Sequence, residues 1–142
     1  MIVIDEILKE IKDPVQLSPL NLAYVGDAVY SLLVRTRLVA CGNASAHTHN
    51  KAANVRVCAV GQSQNYYKLL PHLDEREMAI IKRGRNANPS QKAKNASFAE
   101  YRNATGLEAL FGYLYLSGKN ERMMELFNIC WSVDDEEQET GE

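Results

Sequence analysis

The chain has 142 residues, 46% of them hydrophobic, enough for one compact domain with its own core and too few for a second of ordinary size. Its formal charge of −2 conceals a separation: Asp134 to Glu142 carries six acidic residues and no basic one, so Met1 to Val133 holds 16 Lys and Arg against 12 Asp and Glu, a balance of +4. No segment approaches the ~20 apolar residues of a membrane helix, and Met1 to Glu6 lacks the basic start of a secretory signal, so a soluble, cytoplasmic protein without membrane contact is expected.

Ile4, Leu8 and Ile11 recur at helical spacing until Asp13-Pro14 breaks the pattern, giving a short opening helix. Ser18 is a natural N-cap and Pro19 fits the first helical position, so a long helix runs from Leu20 to Ala40. Its apolar residues Leu22, Val25, Val29, Leu32, Leu33 and Leu38 lie on several faces, which reads as a core helix. After the turn Cys41-Gly42-Asn43, a helix is expected over Ala44 to Val60, with Gly61 interrupting it and Gln62 to Leu70 continuing as another. Asp74 followed by Glu77 has the logic of a capping box and opens a helix ending near Gly84. Arg85 to Ala96 has no hydrophobic period and reads as a long connecting loop. Ser97 and Glu100 form a second box for a helix to about Leu116, and Lys119 to Trp131 supplies the last. With no sustained period-2 alternation, the fold class is an all-α bundle, residues 1–133 forming the domain and residues 134–142 an acidic, disordered tail.

Two carboxylates stand out. Asp27 lies in Ala23-Tyr24-Val25-Gly26-Asp27-Ala28-Val29-Tyr30, and Glu108 in Thr105-Gly106-Leu107-Glu108-Ala109-Leu110-Phe111-Gly112, both apolar helical stretches where an unpaired charge is costly. Gly26, Gly106 and Gly112 occupy helix interiors, where Gly costs ~1 kcal/mol relative to Ala, which suggests close helix approach. If the helices cross there, the two acids can converge on one hard cation such as Mg²⁺. The alternative is that each reaches an arginine or a helix N-terminus on a neighbour.

Lys82, Arg83, Arg85, Lys92 and Lys94 fall within thirteen residues that hold no acid, either a phosphate-binding arm or a solvated charged loop. Tyr66, Tyr67, Tyr101, Tyr113 and Tyr115 are spaced for core packing more than for base stacking, which favours duplex over single-strand recognition. Cys41, Cys58 and Cys130 form no CxxC pair, and His47 and His49 point to different helical faces, so neither a disulfide framework nor a zinc site is supported. No GxGxxG, GxxxxGK[ST] or GxSxG motif is present.

Leu22-Ala23-Tyr24-Val25-Gly26-Asp27-Ala28-Val29 and Ala104 to Leu116 resemble the two hallmark stretches of the ribonuclease III catalytic domain, and most of all its compact Mini-III branch. The resemblance extends over about Leu17 to Trp131, including Lys82-Arg83-Gly84-Arg85-Asn86 and Lys51-Ala52-Ala53. It implies a helical endonuclease domain that forms a homodimer, whose two sites cut opposite strands of double-stranded RNA to give 5′-phosphate and 3′-hydroxyl ends. It implies that Asp27 and Glu108 are the metal-binding, catalytic acids and that the basic loop grips RNA. The Mini-III branch is associated with maturing large-subunit (23S) ribosomal RNA precursors and, as expected of this chain, lacks an appended double-stranded-RNA-binding domain. Fuller ribonuclease III enzymes carry two further acids, four residues before the Asp and three before the Glu, where this chain has Ala23 and Thr105. That departure keeps a rival reading open, a non-catalytic double-stranded-RNA-binding dimer of nuclease fold; a helical protein-interaction module is a third.

Overall fold

The computed structural model describes residues 2–87 and 97–140, with side chains described for residues 4–87 and 97–131. Helix α1 (Ile2–Leu8) is followed by a 3-10 turn at Pro14–Gln16, then α2 (Pro19–Ala40), α3 (Ala46–Val57) and α4 (Ala59–Leu69). A second 3-10 turn (Leu70–His72) leads to α5 (Glu75–Asn86), α6 (Phe98–Leu116) and α7 (Asn120–Thr140). Among the described residues there is no strand, so the all-α class holds.

The helix starts are where side-chain chemistry puts them. Ser18 Oγ accepts from the Asn21 amide at 3.1 Å with Pro19 next in line. Ser45 caps α3 in the same way through the Thr48 amide. Asp74 and Glu77 exchange both capping-box bonds at the head of α5, and Ser97 and Glu100 do so at the head of α6. At the end of α6, Gly118 takes a positive φ of 69°, with the Gly118 amide on the Tyr115 carbonyl and the Lys119 amide on the Leu114 carbonyl. That is a Schellman closure, which a residue with a β-carbon adopts only with strain.

Two glycines read as breaks are not breaks. Gly61 lies inside α4 and packs against the carbonyl of Val55, while the chain turns instead at Cys58, whose extended backbone ends α3 and begins α4. Gly84 lies inside α5, which runs on to Asn86, and sits against Gly106 and Ala109 of α6. Each glycine serves close approach, a use that local pattern cannot separate from termination. The last helix also outruns its apolar pattern, continuing past Trp131 to Thr140 through Glu136, Glu137, Gln138 and Glu139, residues of good helix propensity.

Helix α6 is the axis of the molecule. Leu107, Leu110, Phe111 and Leu114 are wholly buried, each side chain contributing ~1.5–3 kcal/mol by leaving water. Tyr30 of α2 meets Phe111 edge-on at 5.2 Å and Phe127 of α7 at 5.9 Å. At the far end, Arg56 of α3 stacks on Trp131 of α7 at 3.6 Å, and Arg37 of α2 lies 5.6 Å from the same ring. Arg122 of α7 reaches back to α5, where both its Nε and Nη2 donate to the buried Glu77 carboxylate at 2.9 Å.

Candidate active site

Small residues set the crossing of α2 and α6. A β-carbon on Gly26 would run into the carbonyl of Glu108, and one on Gly112 into the carbonyl of Leu22. The two backbones therefore touch where each helix carries its acid, and only glycine allows it. On its other flank α6 meets α5 just as closely: a β-carbon at Gly84 would stand 2.7 Å from Cβ of Ala109, and one at Gly106 would stand 2.6 Å from the Ile81 carbonyl. Helix α6 is thus held between the helix of Asp27 and the helix of Lys82 and Arg83.

The crossing brings the two acids together, eighty-one positions apart in sequence, with the Glu108 carboxyl within hydrogen-bonding reach of Asp27. Desolvation pushes the Glu108 carboxyl up to about 8, and the charge of Asp27 together with a hydrogen bond to it acts in the same direction. Among the described residues no cationic side chain pairs with either carboxylate, so the arginine-partner alternative finds no support. The burial expected of Asp27 is corrected: it is exposed on α2, and only Glu108 is half-buried. The apolar run around Asp27 misleads because part of it faces outward, with Tyr24 82% and Leu32 60% exposed.

Asp27 stands at the rim of a cavity of about 920 Å³ lined by Ile4 and Leu8 of α1, Tyr24 and Leu32 of α2, and Met123 of α7. Ala23 and Thr105, one turn from the two acids, are buried, and the Thr105 hydroxyl donates to the Tyr101 carbonyl at 3.0 Å. They bring no carboxylate to the site. Two oxygen-donor side chains in contact, with no cationic partner among the described residues, suit a hard dication that keeps several waters. No group of three or more acid, His or Cys side chains gathers anywhere among the described residues, so the pair would supply the protein's share of the ligands.

Of the basic residues singled out, Lys82 and Arg83 are exposed on the last turns of α5, Arg83 donating to the Val15 carbonyl at 3.3 Å. Arg85 is half-buried, and its Nε donates to Asn103 Oδ1 at 2.8 Å. Lys92 and Lys94 lie outside the described residues. Sequence reasoning missed Arg102 and Asn103 beside them. Arg102 donates to the Arg85 carbonyl and to Asn86 Oδ1, both at 2.9 Å, and the buried Asn103 donates to Ser63 Oγ at 3.0 Å. The signal available was a basic residue followed by an amide one turn into a capped helix, which reads as ordinary surface. Of the five tyrosines, Tyr66 and Tyr113 are buried as expected, but Tyr67 is 60% exposed.

Two acids from crossing helices and a basic helix end, set in an all-α bundle, are what the described residues bring together. The family model for the Ribonuclease III domain matches residues 20–119. A Mini-ribonuclease 3 from Brevibacillus brevis is 46% identical over 122 residues, covering 86% of this chain and 91% of the relative. Another, from Symbiobacterium thermophilum, is 42% identical over 118 residues, covering 83% and 91%. A crystal structure of a Fusobacterium nucleatum protein superposes with a TM-score of 0.76 at 35% identity, covering 82% of this chain and 95% of that one. The chain belongs to the ribonuclease III family, endoribonucleases of double-stranded RNA, and within it to the compact Mini-ribonuclease 3 branch.

Proposed function

We propose that this endoribonuclease works as a Mg²⁺-dependent homodimer in the cytoplasm, cutting double-stranded RNA of a large-subunit (23S) ribosomal RNA precursor to 5′-phosphate and 3′-hydroxyl ends. The observation that carries the metal-dependent reading is the meeting of Asp27 and Glu108 with no cationic partner among the described residues. When bound there, Mg²⁺ supplies Lewis-acid stabilisation of the charge that builds on the phosphate and the leaving oxygen. The chain's own contribution is placement. Backbone contact at Gly26 and Gly112 fixes the separation of the two acids, and the exposure of Asp27 leaves its oxygens open to an incoming phosphodiester. Lys82 and Arg83, with Lys92, Lys94 and Arg85 of the same basic stretch, lend positive potential for phosphate.

The homodimer is supported by the outer face of α2. Leu20, Tyr24, Ala28, Leu32 and Val39 fall on one side of the helix, all exposed, and Ile7 of α1 is 56% exposed. Tyr24, Ala28 and Leu32 of this stripe line the cavity at Asp27, and a second copy of the chain on that face would close both active sites together. The test is incubation with long duplex RNA, with and without Mg²⁺. Magnesium-dependent fragments with 5′-phosphate ends are expected, a mobility shift without cutting would favour the non-catalytic binder, and neither would favour a protein-interaction module.

A further inference from the structure

At the point where the basic stretch leaves α5, the end of that helix is fastened to the start of α6 by two arginines. Arg102 sends its Nε to the carbonyl of Arg85 and its Nη2 to Asn86 Oδ1, each at 2.9 Å, with its guanidinium carbon 5.6 Å from the Phe98 ring centroid. Arg85 in turn sends its Nε 2.8 Å to Asn103 Oδ1, and Asn103, 1% exposed, passes its amide to Ser63 of α4. The acceptors of Arg102 are a carbonyl and an amide oxygen at the C-terminal, electronegative end of α5, and the acceptor of Arg85 is the amide oxygen of Asn103 on α6; among the described residues no carboxylate pairs with either guanidinium. The shape of the arrangement calls for arginine, since Nε and Nη2 are donors in one rigid fork and a lysine offers a single point. Asn103 is five residues before Glu108 on the same helix, about one and a half turns.

We propose that Arg102, with Arg85 and Asn103, forms a staple that positions the basic end of α5 against the helix carrying Glu108, setting where Lys82 and Arg83 meet the RNA backbone. These are positioning residues rather than phosphate contacts: the donors of Arg102 go to α5, Nε of Arg85 goes to α6, and the amide of Asn103 goes to α4. The proposal rests on the nuclease reading for its consequence and on the hydrogen bonds alone for its existence.

The full chain is tested first without RNA, then with duplex RNA and Mg²⁺. Arg102→Gln should speed amide hydrogen exchange at Arg85, Asn86 and Ala87 about tenfold while Ile80 and Ile81 exchange as in the parent. It should raise KM for duplex RNA about tenfold with kcat within about twofold. Arg102→Lys, which keeps the charge and loses the fork, should behave like Arg102→Gln, and Arg85→Gln should loosen the same turn. Unchanged exchange in Arg102→Gln, or full recovery in Arg102→Lys, overturns the staple. Faster exchange with KM unmoved overturns its role in placing RNA. A parent chain that leaves duplex RNA uncut sinks the nuclease reading instead, while the exchange measurement still decides whether the staple exists.

Discussion

Glu108 carries the clearest consequence at the scale of single residues, because folding moves it from water to a site shared with another carboxylate. Its carboxyl is pushed up to about 8 by desolvation first and Asp27 second, so between about pH 4.5 and 8 the unfolded chain releases a proton that the folded chain retains. Stability without metal should therefore fall as pH rises through that window, with the penalty complete above 8. Glu108→Gln removes the penalty: melting followed in EDTA should find it more stable than the parent at pH 8 and close to it at pH 4.5, and equal slopes would contradict this account. For activity the same substitution, like Asp27→Asn, should abolish cleavage while binding of duplex RNA persists in a mobility shift; cutting at the parent rate would remove that residue from the catalytic role. Gly118 offers a test of a different kind. Its φ of 69° makes Gly118→Ala strained at a solvent-exposed turn, and urea unfolding should show a loss of about 1 kcal/mol with activity retained.

Between elements, the ion pair of Glu77 and Arg122 joins α5 to α7. Glu77 is buried and held below the usual carboxylate range, mainly by its hydrogen bonds from Arg122. Its contribution is therefore full at neutral pH and is lost as pH falls through and below the ordinary glutamate range. Arg122→Ala strands the buried carboxylate and should cost about 3 kcal/mol in urea unfolding at pH 7, a loss that shrinks in acid; a pH-independent loss would point to packing alone. The sequence shows the beginnings of these helices better than their ends. Ser18-Pro19, Asp74 with Glu77, and Ser97 with Glu100 are legible because a cap is a local device, complete within four residues. Gly61 and Gly84 mislead because their partners, Val55 and the Gly106–Ala109 turn, come from other helices. The junction of Asp27 and Glu108 could be anticipated from acids beside glycines, whereas the Arg85, Arg102 and Asn103 bonds could not, since polar residues on a capped helix carry no mark of what they reach.

For the molecule as a whole, the exposed stripe on α2 is where the proposed homodimer is put to the test. Tyr24→Glu combined with Leu32→Glu should yield a folded monomer by sedimentation, with helical content unchanged and duplex cleavage lost, because the charges fall on the face where a second copy is proposed to sit. A dimer that survives both changes would move the interface to another face. That stripe also explains why the sequence overstates the core: an apolar side chain on an outer face and one facing the interior look alike in one dimension. The stacking of Arg56 and Arg37 on Trp131 has a practical outcome, since this is the chain's single tryptophan and it lies where α2, α3 and α7 come together. Every photon of indole emission arises at that one junction, so fluorescence records the peeling of the C-terminal helix from its neighbours.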